Sequence, residues 1–210
     1  MTHDAASLAG LALAFERRLE GLPGAIDPSW RAIAELRSMA TGLPEGPARR
    51  RVTLRLFRRW CGPLPALTDL AGPAGQLTLL EREPLLGRLC ALALLSRPGV
   101  IRCCVERTAR QALEQALGAG FGLLREHAHG GPPVPAYAAA WTPMQWACTG
   151  YADLVRARAW PHRSLRRLAR LALPAAWPIP TSGLATPAAY VPTRKALTRI
   201  EALFAGEAPW

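Results

Sequence analysis

The chain has 210 residues, half of them hydrophobic and a fifth charged, a balance that excludes disorder for the chain as a whole. Its 18 glycines and 20 prolines follow no triplet period, which excludes a collagen-like fibre. Basic residues outnumber acidic ones 26 to 15, for a net charge of +11, and all of the basic residues but Lys195 are arginine. Arginine meets carboxylates and phosphates through a fixed two-pronged fork, so the composition suits an anionic partner.

The N-terminal stretch MTHDAASLAGLALAF carries Asp4 where an export signal needs positive charge, and Arg17-Arg18 follows the apolar run instead of preceding it. The longest apolar run, Leu89 to Leu95, lies between Arg88 and Arg97 and is far shorter than the roughly 18 residues of a bilayer span. A cytosolic protein without membrane insertion is expected. Five cysteines at irregular spacing, with no export signal, argue against a disulfide framework.

Leu8, Leu11, Phe15 and Leu19 mark one face of a first helix. Asp27-Pro28 is a cap and first turn for a second, carrying Trp30, Ile33, Leu36 and Met39. A third helix is expected from Ala48 to Trp60 and a short one from Leu64 to Leu70. Glu83-Pro84 opens a helix that is apolar around much of its circumference and therefore central. Ser96-Arg97-Pro98 starts the next, which is expected to run to Leu117, with Arg102/Glu106 and Glu106/Arg110 at helix-neighbour spacing. Gly118 suits the cap of that helix.

The segment HGGPPVP, 129–135, cannot continue a helix and is the clearest internal boundary. Thr142-Pro143 then opens a helix through Trp146, Tyr151 and Leu154, and another spans Pro161 to Leu173. Five prolines between Pro174 and Pro192 predict an extended segment over 174–192, before a last helix from Thr193 to Phe204. With strand patterns nearly absent, the expected fold is all-α: one globular multi-helix domain over 1–210, with a sub-boundary at 129–135.

Neighbouring cysteines in a helix, such as Cys103-Cys104, point about 100° apart and cannot both turn to one ion, and no C-x2-C occurs. The cysteines read as small buried hydrophobes, and His127 and His129 as solvated residues before a loop. No metal and no cofactor are expected. The glycines from Gly118 to Gly122 lack the preceding strand and the following Lys-Ser/Thr of a phosphate loop. No nucleophile elbow is present, and none of the four histidines stands in a catalytic context. The chain reads as non-enzymatic.

Two basic stripes are more informative. Arg51, Arg55, Arg58 and Arg59 fall on one side of their helix, opposite Val52, Leu56, Phe57 and Trp60. Arg163, Arg166, Arg167 and Arg170 follow i, i+3, i+4, i+7, with Leu165, Leu168, Ala169 and Ala172 opposite. A solvated face of an amphipathic helix is the default for such stripes; the functional reading is a face for an acidic partner, for which the second stripe is the candidate. Trp60, Trp141, Trp146, Trp160 and Trp177 are either core residues or interface anchors.

The central order RLFRRWCGPLP, LTLLEREPLLGRLCALALL, then VIRCCVERTARQALEQALG with Phe121 and Leu123-Leu124 resembles the K component of type III secretion sorting platforms (SctK; the YscK/PscK group and its Hrp counterparts). The likeness covers Arg49 to Leu124. It implies an all-helical adaptor in Gram-negative bacteria, peripheral at the cytoplasmic face of the inner membrane. Such an adaptor joins the cytoplasmic domain of the inner-membrane ring protein (the D component) to the pod protein (the Q component), and through the pods serves the export ATPase and its linker. The alternative is a basic helical nucleic-acid-binding protein with its arginine faces on phosphates, although no recognition motif accompanies the charge.

Overall fold

The computed structural model describes residues 5–30, 46–103, 106–127, 135–176 and 193–204. Among them are thirteen helices and no strand, so the fold is all-α as expected. In chain order these are α1 (Ala5–Glu20), α2 (Leu22–Ala25), α3 (Pro47–Trp60), α4 (Leu67–Leu70), α5 (Pro73–Leu77), α6 (Arg82–Leu95) and α7 (Gly99–Cys103). There follow α8 (Arg107–Leu117), α9 (Ala119–His127), α10 (Ala136–Ala139), α11 (Pro143–Arg156), α12 (Arg163–Leu171) and α13 (Thr193–Leu203). The chain groups into two compact units: the described residues up to Leu85 with Trp160–Ala176, and Leu86–Ala159 with the C-terminal helix. The expected helix beyond Trp30, the boundary at 129–135 apart from Pro135, and 177–192 of the proline-rich segment lie outside the described residues.

The first unit is built from helices with one greasy face each. Phe15 and Leu19 of α1, Leu56 and Phe57 of α3, and Leu165, Leu168 and Leu171 of α12 share one core with Leu22, Ile26, Cys61, Leu70 and Leu79. Phe15 meets Phe57 edge-on, with ring centroids 5.7 Å apart. This is the aromatic geometry favoured by the ring quadrupoles. Asp27 begins a turn with Pro28, with no helix over Pro28–Trp30, its Oδ1 accepting from the Ser29 backbone N–H at 2.9 Å. The segment it begins is tied to the end of α12, because Asp27 N donates to Leu171 O and Trp30 Nε1 to Leu173 O, both at 2.8 Å.

In the second unit α6 is buried around its whole circumference from Leu89 to Leu95, as its unbroken apolar run requires. It packs backbone to backbone against α11: a Cβ on Gly150 would stand 2.0 Å from Leu89 O. Only glycine fits there. The cap expected at Thr142 is present and takes the form of a capping box, with Gln145 N donating to Thr142 Oγ1 and Thr142 N donating to Gln145 Oε1. Gly118 ends α8 with a φ of 53° and its N–H on Glu114 O.

The short helix expected from Leu64 begins only at Leu67, and a second helix expectation is corrected. The helix read as continuous from Ser96 to Leu117 is two helices, α7 and α8, and Glu106 between them is extended (ψ 119°) as the N-cap of α8. Apart from Arg102, the sequence VIRCCV consists of β-branched and cysteine residues, which are weak helix formers. The Arg102/Glu106 and Glu106/Arg110 pairs therefore do not lie along one helix; Arg110 pairs with Glu114 instead, at 2.9 Å.

Candidate functional site

Both arginine stripes belong to the first unit, on helices that share its core. Leu56 and Phe57 turn inward on α3, leaving Arg51, Arg55, Arg58 and Arg59 exposed. On α12, Leu165 and Leu168 turn inward, leaving Arg163, Arg166 and Arg167 exposed. The two helices meet at Gly62, just past the end of α3, where an added Cβ would lie 3.9 Å from Arg163 Nε and 4.0 Å from Arg167 Nη1. Gly62 has a φ of 107°, which a side chain would strain. The turn thus places the chain just past the end of α3 beside Arg163 and Arg167 of α12.

This cluster is electrostatically uncompensated. Neither α3 nor α12 contains an acid. Arg51, Arg55, Arg58, Arg59, Arg163 and Arg167 form no ion pair among the described residues. The arrangement also opposes helix stability. Like charges at i, i+3 and i, i+4 repel, and Arg163 lies in the first turn of α12, where the helix dipole disfavours a cation.

Arg170, the fourth residue of the predicted stripe, is placed differently. It is half-buried, its guanidinium 4.9 Å from the Trp30 ring centroid, and it donates to the carbonyls of Leu173, Pro174 and Ala175. It satisfies backbone acceptors past the end of α12, and the structure does not bring it together with the other three as an open face.

Beneath the surface lies Arg18, 4% exposed, whose Nε donates to Thr78 O at 3.2 Å while Nη2 is buried without a partner among the described residues. Burial pulls its pKa down to about 10 against the attraction of Cys61 and Glu81. Burial likewise pushes the Cys61 thiol up to about 12, although Arg18 and Arg167 draw it the other way. Cys61 is a protonated core residue, and Cys90 and Cys148 are buried too. Among the described residues no three metal-ligating side chains come together.

Trp146 and Trp141 are core residues of the second unit, and Trp60 and Trp160 are half-buried against the core of the first; Trp177 lies outside the described residues. His162 caps α12, its Nδ1 accepting from Ser164 N at 3.3 Å and meeting the Ser164 hydroxyl, which is itself buried. Sequence reading missed an apolar tip beside the arginines: Leu64 and Leu67, 42% and 40% exposed, in the loop after Gly62 and at the start of α4. The proline on either side of Leu64 was the available signal, since a Pro-Leu-Pro turn holds its leucine off a helix.

No helix among the described residues is long and apolar enough to cross a membrane. Compared with known families, the chain matches the one described as bacterial type III secretion protein (HrpB4), over residues 2–205. No curated protein and no solved structure matches it.

Proposed function

The chain belongs to the HrpB4 family of bacterial type III secretion proteins, the Hrp-system counterpart of the sorting-platform K component, and from that premise we propose that it is a non-enzymatic adaptor of the sorting platform. In this reading it links the cytoplasmic domain of the inner-membrane ring protein to the Q-component pod protein, at the cytoplasmic face of the inner membrane. Through the pods it serves the export ATPase and its linker. The family match, which runs across nearly the whole chain, carries the reading. An exposed arginine face on a helix docked by its opposite side suits an adaptor, because the face binds without the helix leaving its core. Arg163, Arg166 and Arg167 are the residues assigned to the partner, with Arg170 fixing the end of their helix.

The test is direct. The purified chain is expected to co-elute with the D-component cytoplasmic domain and with the Q component on size exclusion. Deletion of its gene is expected to abolish secretion while the membrane rings still assemble. Binding to neither component, together with retardation of duplex DNA that weakens steeply with salt, would replace the adaptor with a nucleic-acid-binding protein.

A further inference from the structure

We infer that the surface where the end of α3 meets α12 is a docking site for an acidic protein segment that also carries leucine-class apolar side chains. The inference rests on the adaptor reading for the class of partner, and on the surface alone for its chemistry.

Three observations converge on it. Gly62, three residues past Arg59, holds the turn against Arg163 and Arg167, so the end of α3 lies beside arginines of α12. Arg58, Arg59, Arg163 and Arg167 have no acid on their own helices and no ion pair among the described residues. Leu64 and Leu67 stand exposed two and five positions past Gly62, beside that charge. Guanidinium groups without partners at home suit carboxylates, which they hold in bidentate pairs. Exposed leucines a few residues past that turn supply the apolar anchor around which interface energy concentrates.

The same features weigh against the other anionic partners. A phosphate backbone makes no use of the two leucines, and neither helix carries an exposed aromatic ring for stacking on bases. An anionic bilayer takes up a broad apolar helix face, whereas here the exposed apolar residues are two leucines at a loop and helix start.

The experiment uses the full chain and a synthetic twelve-residue peptide of glutamates with leucines at helical spacing, a second peptide with those leucines replaced by serine, a thirty-base-pair DNA duplex, and vesicles of phosphatidylcholine with phosphatidylglycerol. The Glu/Leu peptide is expected to bind, to outcompete its serine counterpart, and to displace the D or Q component that the chain holds. Combined Arg58→Glu, Arg59→Glu, Arg163→Glu and Arg167→Glu should weaken peptide binding about tenfold or more and flatten its salt dependence. Leu64→Asp alone should weaken it about fivefold. All of these residues are exposed, so the melting temperature should hold; if the reversal lowers it, the same four residues changed to Gln provide the comparison. Tighter binding of DNA or vesicles than of the peptide overturns the inference. So does normal binding of the D and Q components by the reversed chain, a result that leaves the adaptor reading intact. Peptide binding at this surface with neither component bound upholds the site and removes the adaptor reading instead.

Discussion

Arg97 in the second unit and Arg163 in the first show two opposite fates of the residue that dominates this chain's charge. Arg97 is buried, with Nη1 and Nη2 on the two oxygens of Asp153 at 2.6 and 3.0 Å and Nη1 also on Ala93 O. Asp153 accepts from Arg156 as well. Arg163 is exposed at the start of its helix, among like charges and without an acid. Arg97 is closed off and specifies packing; Arg163 stays open at a cost to its own helix. A surface that opposes local stability calls for a reason outside the fold, and the comparison therefore separates structural from functional charge.

The comparison breaks most sharply at Gly150. Its hydrogen occupies space that a methyl group cannot enter, because Leu89 O would be 2.0 Å away and the contact is backbone on both sides. Neither helix can give without losing its own hydrogen bonds. Gly150→Ala is expected to cost more than about 4 kcal/mol, seen as loss of the cooperative thermal transition. A variant melting within a few degrees of the wild type would mean that α6 and α11 pack less closely than described.

Next in size is Asp153→Ala, which leaves Arg97 buried without its carboxylate. The expected loss is about 3–5 kcal/mol in urea denaturation, whereas Arg97→Met combined with Asp153→Leu should recover most of it. The single variant isolates a stranded charge; the double removes the need for a pair. Equal losses in the two would show that the site depends on shape and not on charge.

Arg170 separates the two roles within one helix. Arg170→Ala removes the hydrogen bonds to Leu173, Pro174 and Ala175 and the stacking on Trp30, for an expected loss of about 1–2 kcal/mol. Arg163→Ala, at an exposed position in the first turn of the same helix, should change stability by less than about 0.5 kcal/mol. Both are measured by chemical denaturation. A stability loss at Arg163 equal to that at Arg170 would place Arg163 in the structure and take it out of the docking surface.

These cases mark what the sequence holds and what it does not. Helix α3, the fully apolar α6, the cap at Thr142 and the stop at Gly118 are legible because periodicity and caps are local, each set within about four residues of chain. Arg163, Arg166 and Arg167 are legible as one face for the same reason. Arg170 continues the period, yet its fate is set by Trp30, 140 positions earlier, and by carbonyls beyond the helix. Arg97 and Asp153 are 56 positions apart, and nothing periodic links them. The approach of the end of α3 to α12 is equally nonlocal, since it depends on a turn at Gly62 whose backbone sign the composition does not record. The break between α7 and α8 was local, but the charge spacing there masked the poor helix formers beneath it.

The smallest effect concerns Asp27, the first unit's counterpart to Asp153. Burial alone would raise its pKa, but the hydrogen bonds from the Ser29 N–H and hydroxyl and the Arg82 guanidinium, 2.7 Å away, outweigh burial and hold it below the ordinary carboxylate value. A carboxylate depressed in the folded state binds its proton more readily in the unfolded one, so stability rises with pH across that interval. The contribution of Asp27 is therefore complete above the unfolded value of about 4 and is lost as pH falls through the lower, folded value. Urea midpoints measured from pH 7 down to pH 2 should show Asp27→Asn weaker than the wild type at neutral pH and the two curves converging in acid. Parallel curves for wild type and Asp27→Asn would show that the tie between Asp27 and Arg82 does not hold the segment after α2, leaving the Leu171 and Leu173 carbonyls as its anchors.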